Sequence, residues 1–408
     1  MSKSYWLKNI LLEDGFIYDE NDVVGTKTAI YNILIEDGRI KDIIKGEVNC
    51  KELDSIDGKG LLILPGFKEN HIHIDKTYYG DSWKACRPFK SVAGRIEEEK
   101  ILLVEQLPTL VDRAEKVLKL LSDNGTVHVR THCNVDEVCG LRNVEGTLKA
   151  LQSFKDKMTY EIVAFPQHGL LKGNTVSLIK EAMSMGVNIM GGLDPANVDG
   201  DIEKSLNTIM DIATNFNSDI DIHLHDGGEL GIFTIKRLIK LVEEAKWQGR
   251  VNISHCYCLA HISKEEASAV AKAMAASGIS ISSSIPIDVP VIPIPMLSEK
   301  GVKIAAVNDS ITDHWFPFGT GDMLERATRL CERFGWIDEY SLSRGISFIT
   351  GGKISLDSKG NRIWPQIGDE ASFVLTKASC SAEAVARRTE RKAVIFKGKI
   401  VKNNFDLG

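Results

Sequence analysis

Eight short apolar runs, separated by long stretches of helical pattern, are the feature that most narrowly limits the fold of this chain. Each run has the length of a buried strand, and apolar residues recur at helical spacing between the runs. Strands that alternate with helices form a parallel sheet, and eight such units predict a closed (β/α)8 barrel. The predicted strands are Leu61–Phe67, Thr126–His132, Tyr160–Gln167, Asn188–Leu193, Asp219–Asp226, Val251–Cys256, Ile279–Pro286 and Val302–Asp309.

The intervals between these runs carry the helical pattern. A segment rich in Lys, Arg and Glu, from Asp81 to Glu99, is predicted to be a lid loop over the barrel mouth. The predicted helices are Leu107–Ser122, Gly173–Met185, Asp201–Thr214, Gly231–Glu244 and Lys264–Ala276.

The two ends of the chain differ from the middle, because both consist of short alternating runs joined by tight turns. Asp37-Gly38 near the start and Lys397-Gly398 near the end are residue pairs typical of hairpins. We therefore predict a TIM barrel with a small β-sandwich domain formed by both termini. The boundaries follow as residues 1–60 plus 355–408 for the β domain and 61–354 for the barrel.

Polar side chains collect where the predicted strands end, which is the face of a (β/α)8 barrel that carries chemistry. Seven of the ten histidines lie at these exits, and the eighth strand ends in an aspartate. A hydrogen-bonded core histidine explains any one of them but not easily the whole set. The residues are His71, His73, His132, His168, His223, His225, His255 and Asp309.

His71 and His73, one residue apart, project to the same side of an extended chain and can grip a divalent metal ion. A catalytic site needs three or more protein ligands and an open position for water. The isoleucines of the fifth strand fit the helix-facing side, which leaves His223 and His225 facing the barrel interior. Asp309 can bind the same ion and accept a proton from water.

Composition excludes several classes of function. The formal net charge of −6, without a run of basic residues, argues against a nucleic-acid binder. The N-terminus lacks the long apolar segment of a signal peptide or membrane span, so we expect a cytoplasmic protein without a membrane partner. Eight scattered cysteines without a CxxC pair indicate reduced thiols. The expected partner is a small-molecule substrate, and homo-oligomer formation is left open.

In combination these segments resemble the amidohydrolase superfamily, and within it the cytosine deaminase-like branch. The resemblance spans nearly the whole chain. Besides the HxH pair and the strand-exit histidines, it rests on VRTH at 129–132, FPQ at 165–167 and NDSITDHWFPFGT at 308–320. Lys76, which directly follows an HxHxD stretch, is also similar to a lysine of the triazine-ring aminohydrolases.

The resemblance implies one divalent metal ion, zinc, with iron or manganese as alternatives. A single ion is expected because the end of strand four, 190–194, offers no lysine or glutamate for a second. His255 would hold the attacking hydroxide or stabilise the developing charge, and Asp226 would relay protons to the ring. The implied metal ligands are His71, His73, His223 and Asp309.

Three further positions bear on the substrate. Gln167 would hydrogen-bond the ring, and Lys76 would hold an anionic or oxo-rich ring unless it is an ordinary solvated lysine of the barrel rim. Ser310 stands where cytosine deaminases have a second aspartate, which removes an acceptor for an exocyclic amine. Asp226 is one methylene shorter than the usual glutamate, and Glu229 is an alternative proton shuttle.

The leading hypothesis is a metal-dependent deaminase that uses a metal-bound hydroxide to remove an amino group from a nitrogen heterocycle, such as a cytosine-like pyrimidine, a triazine or a pterin. The alternative is a cyclic amidase that opens an amide or imide ring with the same hydroxide. A third hypothesis is a barrel that binds without catalysis, which predicts missing ligands. None is missing from the sequence.

Overall fold

The computed structural model describes residues 4–48 and 53–403, and within them two eight-stranded sheets organise the chain. In chain order the strands are β1 (Tyr5–Asp19), β2 (Asp22–Glu36), β3 (Arg39–Lys45), β4 (Asp54–Asp57), β5 (Leu62–Pro65), β6 (Phe67–Ile72), β7 (Thr126–Asn134), β8 (Thr159–Phe165), β9 (Ile189–Leu193), β10 (Asp219–Leu224), β11 (Val251–His255), β12 (Ser280–Ser283), β13 (Ile304–Ala306), β14 (Phe373–Thr376), β15 (Arg391–Phe396) and β16 (Lys399–Asn403).

Helices fill the intervals between the central strands. Three short 3-10 turns accompany them at Leu107–Thr109, Tyr257–Ala260 and Ile346–Ile349. The α-helices are α1 (Val92–Gln106), α2 (Leu110–Asp123), α3 (Arg142–Gln152), α4 (Thr175–Ser184), α5 (Ile202–Phe216), α6 (Gly228–Glu244), α7 (Lys264–Ala276), α8 (Ile294–Glu299), α9 (Met323–Phe334), α10 (Glu339–Gly345) and α11 (Ser381–Arg387).

Strands β6 to β13 lie side by side in chain order, and every ladder between them is parallel. A parallel bridge between Ile72 and Asp309 joins the first of these strands to the loop after the last and closes the ring. The (β/α)8 barrel predicted from the eight apolar runs is therefore confirmed. In β10, Ile220, Ile222 and Leu224 pack into the core against the helices, as the alternation predicts.

The first barrel strand lies later in the chain than the predicted run Leu61–Phe67. Leu62–Pro65 forms β5, which pairs with β1 and β14 in the other sheet, and the barrel begins only at Phe67. The apolar run marks a strand buried on both faces: Leu62 packs into the barrel core and Ile63 into the core of the other sheet. The true first barrel strand escaped the prediction because its inward-facing side chains are polar.

The second sheet combines strands from both termini in the order β16-β15-β14-β5-β1-β2-β3, with β4 paired to β1. It mixes parallel and antiparallel ladders and has a core of its own. This confirms a β unit assembled from the two ends of the chain. The domain boundaries remain a proposal, and their positions 1–3, 49–52 and 404–408 lie outside the described residues.

The predicted helices correspond to α2, α4, α5, α6 and α7, with ends that differ by a few residues. The predicted lid loop is wrong in its second half, because α1 begins within it at Val92. Ser91 caps this helix by accepting a hydrogen bond from the amide of Gly94, and its buried face includes Ile96 and Glu99. Within the described residues, no helix combines the length and apolar character needed to cross a bilayer.

Candidate active site

The seam between β6 and the loop after β13 carries three of the predicted metal ligands. The amide N–H of Asp309 donates to the carbonyl of His71 (2.8 Å), and the amide N–H of His73 donates to the carbonyl of Asp309 (3.0 Å). The Nε2 atoms of His71 and His73 lie 3.2 and 3.5 Å from Asp309 Oδ1. Closing the barrel therefore brings these three side chains together.

His223 and His255 join this cluster from β10 and β11. His223 Nε2 lies 3.3 Å from His73 Nε2. The ligand atoms of His71, His223, His255 and Asp309 all lie within 4.8 Å of one another. Two nitrogen ligands of a tetrahedral zinc ion are roughly 3.4 Å apart, because each binds at about 2.1 Å. The spacing of the cluster therefore fits a single shared divalent ion.

The protonation of these histidines also suits a metal. Burial holds the pKa of His73, His223 and His255 well below the usual value, so their rings are neutral and carry a free lone pair. Nε2 of His71 and both ring nitrogens of His255 have no hydrogen-bond partner among the described residues. Buried polar atoms are rarely left unpaired, and a bound cation would supply the missing partner.

Asp309 contributes the negative charge of the cluster. Burial alone would raise the pKa of its carboxyl, but its interactions with His255 and His71 outweigh burial and hold the pKa below its usual range. The side chains of His71 and His73 are almost fully buried, whereas that of Asp309 is 26% exposed. The carboxylate is thus ionised and partly exposed at the C-terminal ends of the barrel strands, in the region called the pocket below.

A buried relay fixes the orientation of His71. Its Nδ1 lies 2.7 Å from Ser254 Oγ, and that hydroxyl donates to Asp221 Oδ1 at 2.8 Å. Asp221 also accepts hydrogen bonds from Arg130 and Asn252, which balance its buried charge. Because the Ser254 proton is committed to Asp221, Nδ1 of His71 must donate, and its Nε2 lone pair faces Asp309.

Glu69 stabilises the same contact between β6 and the loop after β13. Its fully buried carboxylate accepts hydrogen bonds from the His71 amide and from the amide and side chain of Asn308. Burial raises the pKa of Glu69 to about 7, although these hydrogen bonds oppose the shift. Glu69 therefore connects the two chain segments that carry the seam ligands.

Two of the candidate residues adopt backbone conformations that side chains rarely tolerate. His255 has φ of 73° and Asp309 has φ of 66°, both in the left-handed region. Such conformations cost about 1 to 3 kcal/mol each in residues with a side chain, and they concentrate at functional sites. Backbone pairing with β10 holds His255 in place, and the backbone hydrogen bonds to His71 and His73 hold Asp309, despite this cost.

Lys76 and Gln167 lie together in the wall of the pocket. Lys76 is almost completely buried, and its Nζ donates to Gln167 Oε1 at 2.8 Å. The rings of Phe165 and Trp315 flank the ammonium at 5.7 and 5.5 Å from their centroids. Phe165 also stacks on His223 with 4.0 Å between ring centroids, which places Lys76 beside the histidine cluster. Burial argues against a solvated lysine of the barrel rim.

Asp226 lies at the exit of β10, but its carboxylate is already engaged. One oxygen accepts from the amide of Ala196 (3.0 Å) and the other from the side chain of Asn197 (2.6 Å). The neighbouring His225 is closer to the cluster, with its ring stacked on His255 at 4.5 Å. Its Nδ1 lies 2.9 Å from Asp194 Oδ2, and this carboxylate outweighs burial and raises the pKa of His225.

Other predicted positions lie at the edge of the site. Ser310 is buried beside Asp313 in the loop after β13. Glu229 is exposed in the first turn of α6. His132 lies one layer deeper in the barrel, with 3.8 Å between its ring centroid and that of His71. His168 lies 3.5 Å from Asp136, away from the cluster.

Several residues that build the site were missed at the level of sequence. Asp221 precedes His223 by two positions, and Ser254 alternates with the core residues Val251 and Ile253, so the strand period places Asp221 and Ser254 inside the barrel. That period could have found the relay behind His71. Asp194 and Glu99 gave no such signal, because each acts through contacts between segments distant in sequence.

Comparisons with known proteins agree with this geometry. A family model described as "Amidohydrolase family" matches residues 54–402. The uncharacterized protein YahJ of Escherichia coli is 40% identical over 97% of this chain and 87% of its own length. The N-isopropylammelide isopropyl amidohydrolase of a Pseudomonas species is 30% identical over 93% of this chain and 96% of its own. A pterin deaminase of Rhizobium rhizogenes is 24% identical over 91% and 87%.

Solved structures lead to the same group. The crystal structure of N-isopropylammelide isopropylaminohydrolase from Burkholderia multivorans superposes with a TM-score of 0.87 at 28% identity, covering 98% of this chain and 99% of that one. The structure of 5-methylcytosine deaminase from Klebsiella pneumoniae superposes with a TM-score of 0.79 at 24% identity, covering 98% and 97%. At that identity the second likeness concerns the fold alone.

Proposed function

The chain belongs to the amidohydrolase family of enzymes that hydrolyse carbon–nitrogen bonds, and on that premise we propose that it removes an amine from an amino-substituted nitrogen heterocycle. The observation that carries the proposal is the convergence of His71, His223, His255 and Asp309 within 4.8 Å at the C-terminal ends of the barrel strands. Buried neutral histidines beside an ionised carboxylate are the donor set of a hydrolytic metal centre.

One divalent ion, zinc, would be held by His71, His73, His223 and Asp309. Iron and manganese also accept a site of three nitrogen ligands and one oxygen ligand. When bound there, the ion supplies the activation of a water molecule for attack on the ring carbon.

The protein side chains divide the remaining work. Asp309 Oδ1 faces the histidines, so its Oδ2 is the atom that accepts the proton of the attacking water. His255, which is neutral and has no hydrogen-bond partner among the described residues, donates a hydrogen bond to the charge that develops on the ring. Asp226 is proposed to return a proton to the ring nitrogen, for which its hydrogen bond with Asn197 must first break.

Lys76 and Gln167 support a heterocyclic substrate. Lys76 is proposed to turn one N–H of its ammonium toward the substrate, and the amide nitrogen of Gln167 has no hydrogen-bond partner among the described residues. Both are therefore placed to donate to ring nitrogens or to oxygens attached to the ring. Ser310 is proposed to face the ring with a short uncharged side chain. Relatives named for N-isopropylammelide and pterin act on rings of this kind, which is consistent with the proposal.

The test is release of ammonia or alkylamine by the zinc-loaded and manganese-loaded protein. The panel consists of cytosine, isocytosine, amino- and alkylaminotriazines, pterin and simple cyclic imides. We expect amine release from one ring class, no new carboxylate, and loss of turnover in Asp309→Asn with the fold retained. Ring opening of an imide without amine release would overturn the deaminase assignment in favour of a cyclic amidase. Full activity of Asp309→Asn would remove this residue from the mechanism.

A further inference from the structure

The first helix of the barrel, α1, places a carboxylate at the mouth of the pocket. Its residue Ile96 packs with Phe165 and Leu193 at the exits of β8 and β9, so the helix lies over the open end of the barrel. Glu99 follows one turn later on the same buried face and has no exposed surface. A carboxylate in such a place is costly unless several donors surround it.

Three hydrogen-bond partners and one ammonium, from three different segments, surround Glu99. Asn134, at the end of β7, donates from Nδ2 at 2.6 Å, and the indole of Trp315 donates at 2.7 Å. His314 Nε2 lies at 2.9 Å, and Lys76 Nζ lies 3.7 Å from Oε1. Burial alone would raise the pKa of Glu99, but the charge of Lys76 and the hydrogen bond from His314 outweigh it and hold the pKa below the usual range. Glu99 is therefore an anion in the pocket wall.

The ammonium of Lys76 has donor capacity to spare. It carries three N–H groups, and Gln167 is the one hydrogen-bond acceptor found for it among the described residues. The distance of 3.7 Å to Glu99 is that of an ion pair, longer than a hydrogen bond. At least one N–H therefore remains for a ligand, and that ligand atom must be an acceptor. An oxygen on the ring accepts a hydrogen bond from the ammonium. An amino group at the same place would instead bring two hydrogen-bond donors face to face.

We propose that Glu99 is a positioning residue: by pairing with Lys76 it holds the ammonium against Gln167 and so makes the pocket select a ring that carries an oxygen substituent on the Lys76 side. This inference rests on the proposed function and adds to it the chemical class of the substrate. Glu99 acts through Lys76 and does not itself contact the reacting atoms. Without its carboxylate partner, the buried ammonium would lose its counter-charge and the contact that holds it in place beside Gln167.

The test measures binding of two probes that share a ring and differ only in its substituents. Cyanurate carries oxygen on all three carbons, and melamine carries amino groups on all three. Isothermal titration calorimetry on the zinc-loaded full chain gives the dissociation constant of each probe. The variants are Glu99→Gln, Lys76→Met and the double variant. Glu97→Gln is the matched control, because Glu97 lies on the same helix and pairs with Lys100 in solvent.

We expect cyanurate to bind wild type and Glu97→Gln equally and to bind Glu99→Gln about 10-fold to 100-fold more weakly, the range for losing a charge-assisted hydrogen bond. Melamine affinity should change less than about twofold. Lys76→Met should lose as much cyanurate affinity, and adding Glu99→Gln to it should cost nothing further, because both changes remove one interaction. Should Glu99→Gln fail to fold, Glu99→Asp replaces it, with an intermediate loss expected.

Contrary outcomes distinguish a wrong role for Glu99 from a wrong proposed function. If Glu99→Gln weakens both probes equally, or adds its own loss to that of Lys76→Met, Glu99 holds the pocket together in a general way and the inference is wrong. If cyanurate binds Glu99→Gln as tightly as Glu97→Gln, the inference is also wrong while ring binding stands. If neither probe binds a zinc-loaded, folded wild type, both the ring-directed function and the inference fail.

Discussion

Replacing Ser254 by alanine should weaken metal binding without removing any proposed ligand. In the wild type, Nδ1 of His71 donates a hydrogen bond to Ser254 Oγ, and the Ser254 hydroxyl donates a hydrogen bond to Asp221. In Ser254→Ala this acceptor is gone, and the His71 ring is completely buried. The metal-free protein can then move the ring proton to Nε2, where Asp309 accepts it at 3.2 Å. The metal-bound protein cannot, because Nε2 must coordinate the ion.

The cost therefore falls on the metal-bound state alone. An unsatisfied buried donor costs about 1 to 3 kcal/mol, and residues that orient a metal ligand typically change metal affinity about 10-fold to 100-fold. We expect the dissociation constant for zinc to rise within that range. Asp221 keeps its hydrogen bonds from Arg130 and Asn252, so the stability of the metal-free protein should change little.

The assay is competition for zinc against a chromophoric chelator, with thermal unfolding of the metal-free protein measured alongside. Ser282→Ala is the matched control, since Ser282 is equally buried in the neighbouring strand β12 and contacts Asn252 but no histidine. If Ser254→Ala binds zinc as tightly as Ser282→Ala, the relay does not set the tautomer of His71. The reasoning about metal affinity would then be refuted.

Three further outcomes can be measured on the same protein. Chelation should lower the unfolding temperature, and zinc at 1,000 times its dissociation constant should restore about 4 kcal/mol, read by scanning calorimetry. Burial would raise the pKa of Glu161, but His128 and Arg130 outweigh it and lower the pKa to about 2. Its stabilisation is therefore complete above about pH 4.5 and lost as the pH falls toward 2, a dependence that Glu161→Gln should lack in acid unfolding curves. Gly191→Ala should destabilise by about 1 to 3 kcal/mol in urea, because its Cβ would lie 2.3 Å from the carbonyl oxygen of Ala164; an unchanged midpoint would contradict this packing.

The barrel could be predicted from the sequence because its strands are apolar runs bounded by turn residues. The same signal failed at the start of the barrel, where the apolar run Leu62–Pro65 belongs to the other sheet. Gly66 lies between the two strands. A side chain at this position would clash with Val127, because its Cβ would lie 2.5 Å from that residue. An apolar run indicates that a strand is buried, but it does not indicate to which of the two cores the strand belongs.

The candidate ligands could be predicted because strand exits in a parallel barrel converge on one face. Their support could not be predicted to the same extent. Glu99 lies on a helix whose pattern of charges is typical of an exposed loop, and its proposed role rests on contacts with residues distant in sequence, such as Lys76 and Trp315. The hydrogen bond from Asn197 to Asp226 likewise joins two loops, and no residue spacing in either loop predicts it.

The barrel closes where β6 meets the loop after β13, at three of the proposed metal ligands. This closure sets an order of events during synthesis. Glu69 and Asn308, which are hydrogen-bonded across the seam, are 239 residues apart. A ribosome that adds about 5 to 20 residues per second needs roughly 10 to 50 s to make the second after the first. For that time the nascent chain exposes an HxH pair without its carboxylate and can hold a divalent ion only loosely. On the proposed function, the ion would therefore be held firmly only after Asp309 has been made and has joined the histidines.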